Sequence, residues 1–304
     1  MLNLIHLKVL AAVARHGSVT DAAAELHYSQ PSVSHHLARL EAATGVKLVQ
    51  RIGRGIRLTP EGQLLANRAA EILGRVDAAT NELAAQVGLQ AGRVRLAANA
   101  SALSTIVPAA AAGLAQAHPG LELSLFDRHP VESLNMLRHG EIDIALAYRH
   151  ADAPVEEDGF RLVHLGDDPI YLISRSPGDS LANHRHSAWI GGCDRCQNEL
   201  NAVCRQEGFT PRIASHSDDM VVVQSLVAAG LGVATLPGLA LRAHRRPDIH
   251  ATELTGRHRQ IYAATYGDPP DPPAATAVLA ALADATSTAT PSTTSRRKTR
   301  RNKS

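Results

Sequence analysis

Aromatic residues make up only 3% of this 304-residue chain. That scarcity removes the stacking platforms on which single-stranded nucleic acid is held, and it leaves any core to Ala, Leu, Val and Ile. The three cysteines, with no secretory segment ahead of them, cannot frame a disulfide scaffold. The longest apolar stretch, Leu226 to Leu241, is interrupted by three glycines and Pro237 and is too short to cross a bilayer comfortably. No membrane partner is expected, and the cytoplasm is the expected compartment. Catalytic signatures are missing too: there is no GxSxG, no Gly-rich phosphate loop and no HExxH, so neither an enzyme nor a cofactor is expected.

The net charge of +2 says little, but its distribution says more. The first 58 residues hold seven Lys or Arg against Asp21, Glu25 and Glu41, and the last twenty hold six and no acid. Positive ends around a net-acidic middle point to a polyanionic partner.

Leu4, Leu7, Leu10, Ala11 and Ala14 repeat at helical spacing until Gly17. Ser18-Val19-Thr20-Asp21 has the form of a capping box and opens a short helix with Val19, Ala22, Ala23 and Leu26 on its dry side. After a turn at His27-Tyr28, Ser29 is placed to cap a third helix, with Pro31 in its first turn. Val33, Leu37 and Leu40 form its apolar stripe. Gln30, Ser32, Ser34, His35, His36 and Arg39 supply a polar surface rich in donors and acceptors. Two short helices joined by a tight turn, the second with such a face, make a helix-turn-helix, and a major groove admits one helix whose side chains read base edges. Gly45 to Arg51 and Arg54 to Leu58 are expected to be two strands of a basic hairpin. Its Arg51, Arg54 and Arg57 would meet phosphates or a minor groove.

The segments Ala11 to Ser18, Ala22-Ala23-Ala24-Glu25-Leu26, Ser29-Gln30-Pro31-Ser32-Val33-Ser34, Leu40-Glu41 and Leu58-Thr59-Pro60-Glu61-Gly62 together resemble a LysR-type transcriptional regulator. The likeness is dense over about the first 65 residues. It implies that the helix opening at Ser-Gln-Pro-Ser enters the major groove of double-stranded DNA, which places Ser29, Gln30, Pro31, Ser32, Ser34, His35 and Arg39 at the contact. It also implies self-association as a dimer or tetramer and contact with RNA polymerase.

Thr59-Pro60-Glu61 starts another helix. Leu65, Ala69, Ile72, Val76, Ala79, Leu83 and Val87 then recur every three or four residues, so the helix runs to about Gly88. Its narrow stripe either packs back on its own domains or pairs with a second copy; the family resemblance implies the second.

From Arg93 the pattern alternates strand and helix. Strands are expected at Val94 to Ala98, Leu121 to Leu125, Ile142 to Ala147, Arg161 to Leu165, Pro169 to Ser174, Ser187 to Ile190, Arg212 to Ala214, Gly232 to Leu236 and Arg259 to Tyr266. Helices are expected at Leu103 to Ala117, Val131 to Arg138, Gln197 to Glu207 and Met220 to Ala229. This is an α/β domain with largely parallel sheets. The resemblance implies a two-lobed, Rossmann-like effector domain related to periplasmic binding proteins. The expected organisation is therefore a winged helix-turn-helix over 1–58, a linker helix over 59–89, an effector domain over 90–283 and a disordered basic tail over 284–304. Within the effector domain, lobe I spans 93–163 plus 267–283 and lobe II spans 164–266.

Ligands in such folds sit beyond the carboxyl ends of strands. Ser101, expected to head the helix from Ala102, is the first candidate contact for a small anionic effector. Asp127, Arg128, Tyr148 and Pro237 also end strands. Cys193 and Cys196 form a C-x-x-C pair that can hold a metal or cycle as a disulfide, but no second pair follows and no His sits at ligand spacing. A thiol-redox or metal-sensing regulator is thus the alternative reading, and Cys193 falls at the expected cleft edge. The basic tail either attracts phosphate without sequence preference or is merely solvated. A solute-binding transport protein shares the rear domain, but it needs an export signal and has no use for a helix-turn-helix.

Overall fold

The computed structural model describes residues 2–52, 55–86, 92–150, 159–267 and 269–289. Helix α1 (Leu4–His16) is capped by Asn3, whose Oδ1 accepts the Ile5 amide at 2.8 Å, and it ends at Gly17 in the left-handed region. Ser18 Oγ accepts the Asp21 amide at the start of α2 (Val19–Glu25). Ser29 Oγ does the same for Ser32 at the start of α3 (Gln30–Thr44). Each cap satisfies an amide that the first helical turn leaves without a partner. The alanines Ala22 and Ala23 let α2 approach closely, and Leu7, Leu10, Val33, Leu37 and Leu40 close one core beneath the three helices.

The hairpin consists of β1 (Val49–Ile52) and β2 (Gly55–Leu58), antiparallel, with Val49 opposite Leu58 and Ile52 opposite Gly55. The first strand is shorter than expected, because Gly45 adopts a φ of +73° and ends α3. Glu41 ties the two together: its carboxylate accepts the amides of Leu48 (2.9 Å) and Val49 (3.3 Å) and the Lys47 ammonium (2.7 Å). Burial works against its charge, but these bonds hold its carboxyl below the usual range. Helix α4 (Pro60–Gln86) begins where Thr59 Oγ1 accepts the Gly62 amide at 2.9 Å. A Cβ at position 62 would stand 1.9 Å from the Leu48 carbonyl oxygen, so the helix lies against the wing only because that residue is glycine. Ala66 and Ala69 of α4 join the N-terminal core, whereas Ile72, Val76 and Leu83 are exposed.

The second domain comprises β3 (Arg93–Ala98), α5 (Ala100–Leu103), α6 (Ile106–Ala117), β4 (Glu122–Asp127), α7 (Pro130–Arg138), β5 (Ile144–His150), β6 (Phe160–Ser174), β7 (Ala188–Gly191), α8 (Asp194–Gln206), β8 (Arg212–His216), α9 (Met220–Ala228), β9 (Ala234–Pro237), α10 (Gly238–Ala243), β10 (His250–Tyr266) and α11 (Pro273–Ala289). Six strands form one mixed sheet in the order β4-β3-β5-β10-β6-β9, and β7 pairs with β8 apart from it. Pairings of β3 with β4 and β5 are parallel, while β10 lies antiparallel to both β5 and β6. The sheet is therefore less parallel than the alternation of elements led one to expect.

The two stretches 161–165 and 169–174 are one continuous strand, β6, and its neighbour β10 starts nine residues before Arg259. Strand β6 runs across the expected lobe border at 163/164, and β10 ends at the one at 266/267. The polar run around Gly256 hid the first half of β10, where the register shifts between Glu253 and His258. On β10, Ile261 and Ala263 face a core with Leu96, Ile106, Leu146, Val278 and Leu282. Tyr262 and Ala264 face another with Leu134, Leu137 and Phe160, as period-two alternation requires. Trp189, Leu172, Leu200 and Val203 fill the core beside β6, and Ile173, Val223 and Leu236 fill the one under α9.

Two more expectations change. The helix foreseen over 103–117 is broken, since Ser104 and Thr105 turn their hydroxyls back onto the Ala100 and Ser101 carbonyls. Ser101 therefore lies inside the short α5. The tail foreseen from 284 is helical up to Ala289, with Ala285 and Thr286 buried; residues 290–304 lie outside the described residues.

Candidate functional site

On α3 the buried positions are Val33, Leu37 and Leu40, and the outward ones are Gln30, Pro31, Ser34, His35 and Arg39. Ser29 is exposed at the cap and Ser32 is half-buried. Arg57 is exposed on β2; Arg54 lies outside the described residues, and of Arg51 only the backbone, opposite Ile56, is described. His36, half-buried, is wedged between His6 (ring centres 5.3 Å apart) and Tyr28 (5.6 Å), so it braces α3 rather than extending its outer face.

In the second domain a cavity of about 750 Å³, mouth included, is lined from several elements by Asn99, Ser101, His129, Tyr148, Cys193 and Arg259, among others. Ser101, Tyr148, Cys193 and Pro237 were all expected here, and the fold brings them together. Asp127 and Arg128 are not in the lining. Strand β4 is the sheet edge, Asp127 is exposed, and the Arg128 guanidinium turns to the Asp127 carbonyl (2.7 Å) and to Glu132 (2.8 Å). The next residue, His129, reaches the cavity instead, where its Nε2 stands 3.6 Å from Asp218 Oδ2.

The centre of the lining is Arg259, only 3% exposed. Its Nε donates to Asp168 Oδ2 at 2.9 Å and its Nη2 to Ser101 Oγ at 2.7 Å. Asp168, buried as well, accepts the Leu239 amide on its other oxygen at 2.8 Å. Asn99 Nδ2 donates to the same Ser101 oxygen at 2.7 Å. With two donors on its oxygen, the Ser101 hydroxyl keeps its own proton to offer. Sequence reasoning missed Arg259 and Asp168; the signal was a cation opening the apolar run Ile261 to Ala264 and an acid inside another strand.

The thiols line the same cavity. Cys193 is the N-cap of α8, and its Sγ is 3.2 Å from Cys196 Sγ. Tyr148 Oη lies 3.6 Å from the first sulfur and 3.5 Å from the second. Hydrogen bonding from the Cys196 thiol, aided by the Cys196 amide and Tyr148 and opposed by burial, brings the Cys193 thiol down to about 5. That bond and burial push the Cys196 thiol up. Burial also raises Tyr148. Burial, with Arg259 and Arg195 nearby, lowers His150 to about 4. Among the described residues no group of three His, Cys, Asp or Glu is placed to hold a metal ion, and no helix is long and apolar enough to cross a membrane.

Residues 4–63 match the family described as "Bacterial regulatory helix-turn-helix protein, lysR family", and residues 88–287 match the "LysR substrate binding domain". The chain belongs to the LysR family of DNA-binding transcription regulators, which are not enzymes, and carries that family's ligand-binding domain behind its helix-turn-helix. Among similar proteins is the HTH-type transcriptional regulator TfdS of Cupriavidus pinatubonensis, 29% identical over 84% of this chain and 88% of the relative. CfxR of Cupriavidus necator is 30% identical over 79% and 78%. The crystal structure of CbnR, a LysR family regulator, shares the fold with a TM-score of 0.65 at 23% identity, over 94% of this chain and 99% of that one.

Proposed function

We propose that the outward face of α3 reads a specific duplex, with Gln30, Ser34, His35 and Arg39 addressed to base edges. Ser29, Pro31 and Ser32 lie close to the backbone at the helix start, and Arg51, Arg54 and Arg57 of the hairpin meet phosphate. Two copies pair through Ile72, Val76 and Leu83 of α4, whose exposure on a 27-residue helix supports this reading, and a dimer presents two recognition helices to two half-sites.

A small anionic effector occupies the cavity, and its binding alters the setting of the two lobes about β6 and β10. The observation that carries this is the Ser101 hydroxyl: its oxygen is held by Asn99 and Arg259, which leaves an oriented O–H beside a buried guanidinium. Its lining mixes apolar side chains such as Ile190, Leu200 and Leu236 with a few polar groups, as sites for small molecules do. Isothermal titration of the full chain against a panel of small carboxylates tests it. The expected result is one ligand whose affinity falls about 10-fold or more in Ser101→Ala. A confirmed ligand that binds the variant as tightly as the parent removes Ser101 from the site.

A further inference from the structure

Three cysteines occur in the chain, and they stand in two unlike settings. Cys204 is fully buried in the core of Trp189, Leu200 and Phe209, where burial and Glu207 raise its thiol to about 11. Cys193 and Cys196 instead form part of the effector cavity wall. Regulation by a diffusible ligand does not require two thiols there.

Their geometry is specific. Cys193 ends the loop after β7 as the N-cap of the 13-residue α8, and Cys196 lies three residues on, in the first turn. The sulfurs are 3.2 Å apart. A disulfide needs about 2 Å, a gap that side-chain torsions at the head of a helix can close. The two thiols are also differentiated by position, because Cys193 sits at the N-cap of α8 and meets the favourable end of the helix dipole, whereas Cys196 lies inside the first turn. Cys193 is thus the attacking thiolate and Cys196 the resolving thiol.

We propose that Cys193 and Cys196 are an oxidisable dithiol, closed to an intramolecular disulfide by a small disulfide that enters the effector cavity. The Cys193 thiolate attacks one sulfur of RSSR. The new S–S bond forms as the old one breaks, and RS⁻ leaves and takes up a proton. Cys196, giving its proton to the departing group, then attacks the Cys193 sulfur and expels RSH. In sum the thiolate–thiol pair loses two electrons and the Cys196 proton, solvent supplies the second proton, and RSSR becomes two RSH. A reducing dithiol reverses both exchanges.

The reaction is wired to the cavity through Tyr148. Its hydroxyl lies against both sulfurs, and its ring lies under the Arg259 guanidinium, which holds Ser101. Disulfide formation removes the Cys193 thiolate that this hydroxyl serves, so the oxidised cavity presents different groups to an effector. This coupling rests on the effector-cavity reading above; the thiol chemistry does not.

The test equilibrates full-length protein with bis(2-hydroxyethyl) disulfide, then counts thiols under denaturing conditions and measures intact mass. The expected result is a fall from three thiols to one, with a mass loss of about 2 Da. Cys204→Ala should still close the pair. Cys196→Ser should stop at a mixed disulfide on Cys193, and Cys193→Ser should react far more slowly, each variant keeping the circular dichroism of the parent. Three surviving thiols in the parent, or a disulfide that includes Cys204, overturn the proposal. In gel shifts, reduced and oxidised parent should differ about 5-fold or more in affinity for a bound duplex, and the Cys193→Ser protein should not respond to the oxidant. Equal affinities in the parent overturn the coupling. Failure of the reduced protein to bind any duplex would instead count against the function proposed above, leaving the thiol count to decide the chemistry.

Discussion

The Arg259 guanidinium lies 4.3 Å from the centre of the Tyr148 ring. This stacking contact links side chains of the hydrogen-bonded neighbours β10 and β5, and through Tyr148 it connects Arg259 to the thiols that Tyr148 touches. It also fixes the direction of the guanidinium, which then reaches Asp168 on one side and Ser101 on the other. Position 259 therefore connects almost everything that faces the cavity.

Asp168→Ala should destabilise the fold by about 3–5 kcal/mol, because it leaves a buried guanidinium without its counter-charge. The two side chains are only 4% and 1% exposed, so solvent offers little compensation. Urea unfolding followed by circular dichroism measures it, and Asp168→Asn, which keeps one acceptor oxygen but turns an NH2 toward either Arg259 or the Leu239 amide, should lose only somewhat less.

Gly62→Ala should also destabilise, by roughly 1–3 kcal/mol. On an exposed helix the same change would stabilise by about 1 kcal/mol. The sign reverses here because the new methyl meets the Leu48 carbonyl oxygen, a backbone atom that cannot turn away. A thermal melt of the chain decides between the two signs.

Much of the N-terminal domain was legible from residues that act locally. Gly17, Ser18, Ser29 and Pro31 punctuate helices through their own backbone and hydroxyl chemistry, and Val33, Leu37 and Leu40 declare a buried stripe by spacing alone. Gly45 misled, since a glycine before Val46-Lys47-Leu48-Val49 reads equally as a strand start or a helix end. In the second domain Ser101, Tyr148, Cys193 and Pro237 could be found because strand ends converge. Asp127 and Arg128 sit on an equivalent strand end, but at the sheet edge, where the chain turns outward. Arg259 and Asp168 lie 91 residues apart, and nothing local marks either as the partner of the other. Helices α10 and α11 escaped notice because runs of alanine and leucine with few polar positions show no clear face.

Alkylation of Cys193 should follow a thiolate that is populated well below neutral pH. With the thiol near 5, the rate with iodoacetamide should be flat from about pH 6 to 8 and fall about tenfold per unit below pH 5. The Cys196→Ala variant lacks the hydrogen bond that holds this thiol down, so its midpoint should move upward. Peptide mass mapping against pH reads both, and Cys204, raised to about 11, should stay unlabelled in the native protein.

Val76→Asp should shift the protein toward monomers, because Val76 is 41% exposed and has its only proposed partner on a second copy. Sedimentation velocity would show the change, and the melting temperature at high dilution should hardly move. A variant that stays as associated as the parent means that α4 is not the pairing surface.

The central claim is that the outer face of α3 selects duplex sequence, and enrichment from a random double-stranded library tests it most directly. The full chain should enrich a two-fold symmetric site. Arg39→Ala and Ser34→Ala, folded like the parent, should bind the enriched site less tightly and relax its base preference, whereas Arg57→Ala should weaken all duplexes alike and lower the salt slope by about one. A folded parent that enriches no sequence over the starting pool at moderate salt would contradict the account.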